Sequence, residues 1–210
     1  MQQAGDYFYE AYRFFLVYDV VRALREILGT KRLSEELGIT PTMISRYSRR
    51  RSKPGKGHLA RIIMFLQQNA DILINTVVNK IEQGESKREF YVLAAATLAL
   101  KYAGKIDAII GFNDQHFSIV ALAAQVLDVP LGLVWYGRAV LPSKAECIIG
   151  RCTDGSRQVV CYSIPGVSPS SRALLVVPPS VSYCTASLTL TYLSKNFEKI
   201  EVYNISENIK

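Results

Sequence analysis

Apolar residues recur at helical spacing through the first 84 positions of the chain. From about residue 10 to residue 28, one apolar side chain falls every three or four positions, and this stripe consists of Phe14, Val17, Val21, Leu24 and Leu28. Shorter apolar stretches, separated mainly by glycine and proline, predict further helices over 33–37, 41–50, 58–68 and 71–83. The pattern predicts an all-helical N-terminal part that ends near Gly84.

The rest of the chain alternates short apolar runs with helical segments. The runs predict buried strands over 107–112, 131–136, 172–177 and 199–203, and helices are expected over 86–103, 118–127 and 185–196. Two β-rich segments, 145–152 and 157–163, flank the turn sequence Thr153-Asp154-Gly155-Ser156 and predict a hairpin. This order predicts an α/β fold with an open, mainly parallel sheet. We expect two domains, 1–84 and 85–210.

Composition and cysteine spacing narrow the class of protein. Hydrophobic residues make up 49% of the 210 residues and charged residues 20%, which excludes a disordered, collagenous or coiled-coil chain. No apolar run reaches the roughly 18 residues of a membrane span, and the first residues lack the basic segment of a secretory signal. Four cysteines without C-x-x-C spacing and two histidines indicate no zinc site and no resident cofactor. We therefore expect a soluble, cytoplasmic protein.

Positive charge is concentrated in the helical part. Residues 1–84 hold 13 Lys and Arg against 8 Asp and Glu, whereas residues 85–210 hold 12 against 10. Between Arg46 and Arg61 there are seven basic residues and no acid. A dense, arginine-rich run of one sign beside a small helical unit favours a polyanionic partner over an ordinary solvated face.

Residues 33–47 resemble a helix-turn-helix DNA-binding unit. Ser34 is small where the two helices approach, Gly38 allows the tight turn, and apolar contacts come from Ile39, Ile44 and Tyr47. The resemblance implies that the helix from Pro41 to Arg50 enters the major groove. The residues expected at the DNA interface are Thr40, Thr42, Met43, Ser45, Arg46, Arg49, Arg50, Arg51, Lys53 and Lys56. The expected partner is a pseudo-palindromic operator in double-stranded DNA, bound by a homodimer, because one helix reads only a few base pairs.

Residues 85–203 resemble the type I phosphoribosyltransferases, in particular the orotate and adenine types. In that family a strand ends at a short pyrophosphate loop, which corresponds here to 108–112 followed by 113–117. A second strand ends beside a basic residue, here 131–136 with Arg138, and a variable hairpin follows. The resemblance implies an α/β chain in which an N-terminal all-α helix-turn-helix domain precedes a type I phosphoribosyltransferase-like parallel-sheet domain.

The most specific motif of that family is altered in this chain. After the third strand the family has two acidic residues, which hold the ribose hydroxyls of phosphoribosyl pyrophosphate, and a glycine-containing phosphate loop. This chain has Pro178-Pro179 and a loop without glycine. We therefore expect a domain without catalytic activity that dimerises and senses a nucleotide-like or anionic effector. The residues expected to bind the effector are Asn113, Asp114, Gln115, His116, Phe117, Ser118, Arg138, Ser180, Ser182, Tyr183, Cys184 and Thr185.

Several of these residue types admit two interpretations. His116 is either a solvated surface histidine or a general base or phosphate ligand, and Trp135 either fills the sheet face or stacks on a base. Cys184 at a helix N-terminus is expected to have a lowered thiol pKa if it is exposed. The hairpin cysteines are expected to pack as apolar side chains, with a cross-strand disulfide as the alternative: Cys147, Cys152 and Cys161.

Three functions follow from these patterns. The leading one is a DNA-binding transcriptional regulator with a non-catalytic, ligand-sensing domain. The alternatives are an active phosphoribosyltransferase with an accessory nucleic-acid-binding domain, and an assembly module without any ligand.

Overall fold

The computed structural model describes residues 16–136, 145–166 and 171–205. The chain divides into two compact units, which we call the N-terminal unit, Met1–Lys101, and the C-terminal unit, Tyr102–Lys210. The division falls after the boundary predicted near Gly84. The intervening helix pairs with N-terminal helices, as in the ion pairs Arg22–Glu89 at 3.1 Å and Lys101–Asp71 at 2.5 Å. The assignment of 85–210 as one functional domain stays a prediction.

The described part of the N-terminal unit is helical. Its helices are α1 over 16–28, α2 Thr30–Leu37, α3 Pro41–Ser48, α4 Lys56–Gln68, α5 Ala70–Glu82 and α6 Arg88–Tyr102, which ends in the C-terminal unit. Fully buried apolar side chains come from every one of these helices, including Leu24, Leu33, Ile44, Ile62, Val77 and Phe90. The helices predicted from apolar spacing are thus present, and each directs its apolar stripe into the core.

The C-terminal unit contains a six-stranded sheet. Its elements are β1 Ala108–Phe112, α7 Phe117–Leu127, β2 Leu131–Tyr136, β3 Glu146–Arg151, β4 Arg157–Ser163, β5 Arg172–Val177, α8 Tyr183–Leu193 and β6 Lys199–Asn204. The strand order is β3-β4-β2-β1-β5-β6. β2, β1, β5 and β6 are parallel, β4 is antiparallel to β2, and β3 is antiparallel to β4. The predicted hairpin is confirmed, and it makes the sheet mixed.

The two faces of the sheet are covered by different helices. On one face Ile110, Phe112 and Leu175 belong to a buried cluster that includes Leu193 of α8. On the other face Gly111 meets α7 so closely that an added Cβ would lie 3.0 Å from Val120 Cγ1. β1 is buried along its whole length because it is covered on both faces, as is typical of a central parallel strand. Among the described residues, no helix is long and apolar enough to cross a membrane.

A salt bridge connects the amino ends of the neighbouring strands β1 and β5. The Asp107 carboxylate accepts hydrogen bonds from the Arg172 backbone N–H at 2.9 Å, from Nε at 3.0 Å and from Nη2 at 2.9 Å. The side-chain and backbone hydrogen bonds lower the pKa of the Asp107 carboxyl from 3.8 to about 2. Because the folded chain holds the carboxylate more strongly than the unfolded chain, the contact stabilises the fold above pH ~4. This contribution is lost as the pH falls towards 2.

We expect Asp107→Asn to remove this pH-dependent stabilisation. The pH-dependent part of the Tm difference between wild type and variant should be largest between about pH 5 and pH 7. It should shrink as the pH falls through about 2, where the Asp107 carboxyl becomes protonated in the folded as well as the unfolded chain. Thermal unfolding followed by circular dichroism across this range measures it. Asp128→Asn, at the αL residue that ends α7, is the matched control. A Tm difference that stays constant with pH would contradict the assignment.

Candidate functional site

The carboxyl ends of two parallel strands meet at one edge of the sheet. β1 and β5 are neighbours in register, with Ile110 opposite Leu175. β1 leads through residues 113–116 into α7, and β5 leads through residues 178–182 into α8. Ligands in open α/β sheets bind at such an edge, because loops from adjacent strands converge there. We call this region the carboxyl edge.

A direct hydrogen bond joins the two loops at the carboxyl edge. Ser180 Oγ donates to Asp114 Oδ2 over 2.7 Å. Asp114 Oδ1 also accepts from the His116 backbone N–H at 2.9 Å, and Asp114 Oδ2 lies 3.0 Å from His116 Nδ1. Burial raises the pKa of the Asp114 carboxyl, but hydrogen bonds from His116 and Ser180, with the charge of His116, bring this pKa below its ordinary value. Asp114 is therefore a carboxylate at neutral pH and organises both loops.

The imidazole of His116 is almost fully buried, at 1% exposure. Its Nδ1 faces the Asp114 carboxylate, whereas Nε2 is buried and has no hydrogen-bond partner among the described residues. A hydrogen bond from Nδ1–H to the carboxylate leaves the Nε2 lone pair free to accept a proton or a hydrogen bond. The interpretation of His116 as a solvated surface residue is wrong, because its side chain is buried at the N-cap position of α7.

The start of α8 presents polar groups at the same edge. Ser182 is the N-cap, and its Oγ accepts from the Thr185 backbone N–H at 3.2 Å. In the described part of the chain, the N–H groups of Tyr183 and Cys184 have no acceptor. The unpaired N–H groups of a first helical turn, together with the helix dipole, favour an anion. The exposed hydroxyl groups of Ser180 and Ser182 lie beside them.

The structure sorts the predicted ligand residues into three groups. Asp114, His116 and Ser180 are brought together, as described above. Among the described residues, the exposed or half-buried ones whose side chains make no hydrogen bond to that group are Asn113, Gln115, Phe117, Ser118, Ser182 and Tyr183, of which Tyr183 is 88% exposed. Thr185 is buried and bonded to Ser182 and so is closed to a ligand, and Arg138 lies outside the described residues.

The interpretation of Cys184 as a free thiol is wrong, and so is the expectation that the hairpin cysteines pack as unpaired apolar side chains. Cys147 and Cys161 form a cross-strand disulfide in the β3–β4 hairpin, and Cys152 pairs with Cys184. Cys184 therefore has no thiol, because the hairpin end brings Cys152 against the first turn of α8. Disulfides persist mainly in oxidising compartments and in the intracellular proteins of hyperthermophiles. The cytoplasmic location expected from the sequence therefore stays a prediction.

Helix α3 of the N-terminal unit exposes the residues expected at a DNA interface. Ile44 and Tyr47 are fully buried, and Tyr47 Oη lies 2.6 Å from His58 Nδ1 of α4. Burial raises the pKa of the Tyr47 hydroxyl despite the nearby charge of Arg46. The opposite face carries exposed or half-buried residues, namely Thr40, Thr42, Met43, Ser45, Arg46 and Arg49, and the exposed Arg51, Lys53 and Lys56 follow.

The connection between α2 and α3 depends on the conformation of Gly38 and on two side-chain hydrogen bonds to backbone carbonyls. Gly38 adopts a left-handed conformation with φ 59°, which glycine accepts without a steric cost. Ser34 Oγ donates to the Ile39 carbonyl at 2.6 Å, and Arg61 Nη1 donates to the Gly38 carbonyl at 2.6 Å. Arg61 therefore stabilises the turn, although it belongs to the basic run. α3 is consequently held rigidly against α2 and α4.

Arg50 has a structural partner that its sequence position does not reveal. Its Nη2 lies 2.9 Å from Oδ1 of Asp19, a buried residue of α1. Replacing Arg50 would leave a buried carboxylate without this partner, which is costly. The role of Arg50 as a phosphate contact stays a prediction. Phosphate contact by the basic run is better tested at Arg49 and Lys56, whose replacement leaves Asp19 paired with Arg50.

Comparison with known proteins finds similarity to phosphoribosyltransferases among solved structures. Adenine phosphoribosyltransferase from Rhodothermus marinus has a TM-score of 0.46 at 18% identity, over 57% of this chain and 68% of that chain. The enzyme from Trypanosoma brucei, solved with AMP, pyrophosphate and ribose-5-phosphate, gives 0.44 at 14% identity, over 57% and 53%. Purine phosphoribosyltransferase from Pyrococcus horikoshii gives 0.33 at 15% identity, over 64% and 70%. This chain thus spans about half the length of the Trypanosoma enzyme. No family model and no curated sequence matches.

The prediction that the chain is not an enzyme is contradicted by these matches to phosphoribosyltransferases. That prediction was based on Pro178-Pro179, which stand where the family has two acidic residues, and on a loop without glycine. The structure places another carboxylate, that of Asp114, at the same edge and 2.7 Å from Ser180 Oγ. Loss of catalysis therefore cannot be concluded from the two prolines.

Proposed function

We propose that the N-terminal unit binds double-stranded DNA through α3 and that the chain acts as a DNA-binding regulator. The observation that carries the proposal is the division of α3 into two faces. Ile44 and Tyr47 lock one face into the core, while Thr42, Ser45 and Arg46 remain available on the other. Recognition of bases in the major groove requires a helix that is held by its protein and exposes polar side chains to the base edges. Basic residues beside that helix contact the phosphates, and a basic segment without acidic residues follows α3.

The proposed complex contains two copies of the chain. One α3 helix reaches only a few base pairs, so two half-sites are needed for a useful preference among genomic sequences. A symmetric dimer implies a pseudo-palindromic operator whose half-sites are separated by about 10–10.5 base pairs or a multiple of it.

Removing one phosphate contact should weaken binding to all duplexes about equally. In a dimer, Arg49→Gln or Lys56→Gln deletes two such contacts, so the slope of log K against log[salt] should become shallower by about 1.8. Fluorescence anisotropy on labelled duplexes between about 50 and 200 mM salt measures this slope. Arg32→Gln, which removes an exposed charge on α2, is the control and should leave the slope unchanged. Equal slopes for all the proteins would contradict phosphate contact at Arg49 and Lys56.

For the C-terminal unit we propose binding of a phosphate-containing small molecule at the carboxyl edge. The first-turn N–H groups of α8 and the hydroxyl of Ser182 support an anion there. With Nδ1–H directed at Asp114, the Nε2 atom of His116 supplies an acceptor for a hydroxyl group of the ligand. The Asp114 carboxylate repels phosphate, so we assign it to hydroxyl groups of the ligand or to positioning of His116 and Ser180.

Calorimetric titration with pyrophosphate, phosphoribosyl pyrophosphate and nucleotides tests this second proposal. Ser180→Ala should weaken binding several-fold, because it removes an exposed hydroxyl and one hydrogen bond to Asp114. Ser194→Ala, at the far end of α8, is the matched control and should bind as the wild type does. Chromatography of the same samples with added base detects any nucleotide formed, which would add phosphoribosyl transfer to binding. No heat with any of these ligands would refute the site.

A further inference from the structure

A concave site lies in the N-terminal unit, on the side of α1. Its cavity measures about 710 Å³. Its walls are Arg22, Arg25 and Glu26 from α1, Ser48 from the end of α3, and Arg49, Arg50 and Arg51 from the segment that follows. We call it the arginine cleft. Five of its seven lining residues are arginines, contributed by two segments that are distant in sequence.

The charge of the arginine cleft is only partly compensated within the described chain. Glu26, its single acidic lining residue, is already paired with Lys87. Arg22 pairs with Glu89 and Arg50 with Asp19, whereas Arg25 Nη1 donates to the neutral Ser48 Oγ at 2.7 Å. Arg25, Arg49 and Arg51 have no carboxylate partner among the described residues. Three arginines that line the same cleft therefore have no carboxylate counter-charge among the described residues.

The backbone is held so that consecutive arginines line this cleft. Arg50 has φ 57°, in the left-handed region that a residue with a side chain seldom adopts. The Arg51 N–H bonds to the Arg46 carbonyl at 2.8 Å, and the Arg50 side chain is tied to buried Asp19. The turn after α3 is thus fixed by these bonds in a strained conformation, a feature typical of ligand-binding sites.

We propose that the arginine cleft binds an oligophosphate, meaning two or more linked phosphate groups, inorganic or carried by a nucleotide. Guanidinium groups bind phosphate oxygens through paired N–H donors, and three arginines without a carboxylate partner match more oxygens than one phosphate presents. The volume of the cleft lies in the range of small-molecule sites. A concave pocket also suits a compact anion better than a duplex, whose phosphates are spread along the strand.

Titration of the full chain with inorganic tripolyphosphate tests the proposal without any DNA. We expect binding of one tripolyphosphate per chain, weakened about tenfold or more by Arg25→Gln and by Arg51→Gln, since each removes a charge-assisted contact. Arg51→Gln is included because Arg25 also bonds to Ser48 and its replacement could perturb folding, which circular dichroism reports. Arg32→Gln on α2 removes the same charge outside the cleft and should bind within about twofold of the wild type.

Two results would overturn the proposal. One is equal weakening of tripolyphosphate binding by Arg32→Gln, which would indicate general attraction to a basic protein. The other is absence of tripolyphosphate binding to the wild type at about 50 mM salt; if Arg25→Gln then loses duplex binding, the cleft is a contact for the DNA backbone. Conversely, tripolyphosphate binding with no duplex binding would support the cleft and refute the proposed DNA-binding function, so the two failures are distinguishable.

Discussion

Replacing Arg46 with alanine is expected to cost about 1–3 kcal/mol of binding free energy for each half-site on the preferred duplex, and to relax the preference for one base pair. Arg46 is exposed on the face of α3 opposite Ile44 and Tyr47, where its guanidinium can make a bidentate contact with a guanine edge. Anisotropy titrations with the preferred duplex and with single-base variants measure both effects.

Arg49→Gln provides the contrast for this experiment. It should weaken the preferred and the substituted duplexes by the same factor, because phosphate contacts position the protein without reading sequence. If Arg46→Ala also lowered affinity equally for every duplex, Arg46 would be a backbone contact and the assignment of α3 as the reading helix would fail.

The second large effect concerns the disulfide between Cys152 and Cys184. It closes a loop with a sequence separation of 32, against 14 for Cys147–Cys161. From the loop-closure entropy of the unfolded chain, the two bonds should contribute about 3.7 and about 3.0 kcal/mol to the free energy of unfolding. We expect the double variant Cys152→Ser/Cys184→Ser to lose the larger amount, with Cys147→Ser/Cys161→Ser as the matched control.

Denaturant unfolding of the oxidised proteins measures these losses. The first double variant should also bind anions more weakly at the carboxyl edge, because Cys184 lies in the first turn of α8 beside Ser182. The control should bind as the wild type does, since its cysteines lie within the hairpin. Four reactive thiols in the protein purified without reductant, or unchanged stability in both variants, would contradict the two bonds.

Regular elements of this chain could be predicted from its sequence because local signals agree with the tertiary structure. The run Leu131–Tyr136 forms β2 over the same residues. The hairpin follows from its turn, where Asp154 Oδ1 accepts from the Ser156 N–H at 2.9 Å and Gly155 adopts φ 83°. α8 begins at Tyr183, two residues before its predicted start at Thr185, because Ser182 takes the capping position.

The two disulfides differ in how far the sequence could reveal them. Cys147 lies six positions before the predicted turn and Cys161 five positions after it, and the observed register of the hairpin places them face to face. The cross-strand bond was therefore accessible from the sequence as the alternative to apolar packing. Cys152 and Cys184 come together only after the hairpin and α8 have packed, as the approach of Leu188 to Gly150 illustrates. No local pattern encodes that contact.

The candidate site was predicted in outline and not in its bonding. Parallel β1 and β5 bring residues 113–118 and 180–185 to one edge, as strand order alone implies. The hydrogen bond from Ser180 to Asp114 and the burial of His116 depend on loop conformation, which the spacing of polar residues does not specify. The partner of Arg50 was hidden for the same reason, since Asp19 lies 31 positions away.

Selection from a pool of random duplexes tests the central proposal, DNA reading by α3, most directly. The purified chain is incubated with the pool at low salt, bound duplexes are recovered and sequenced over several rounds, and the Arg46→Ala variant is taken through the same rounds. We predict that the wild type enriches a pseudo-palindromic sequence with half-sites about 10–10.5 base pairs apart, or a multiple of it, and that the variant loses the preference at one position of each half-site. Recovery of unrelated sequences by both proteins, or no recovery at low salt, would contradict it.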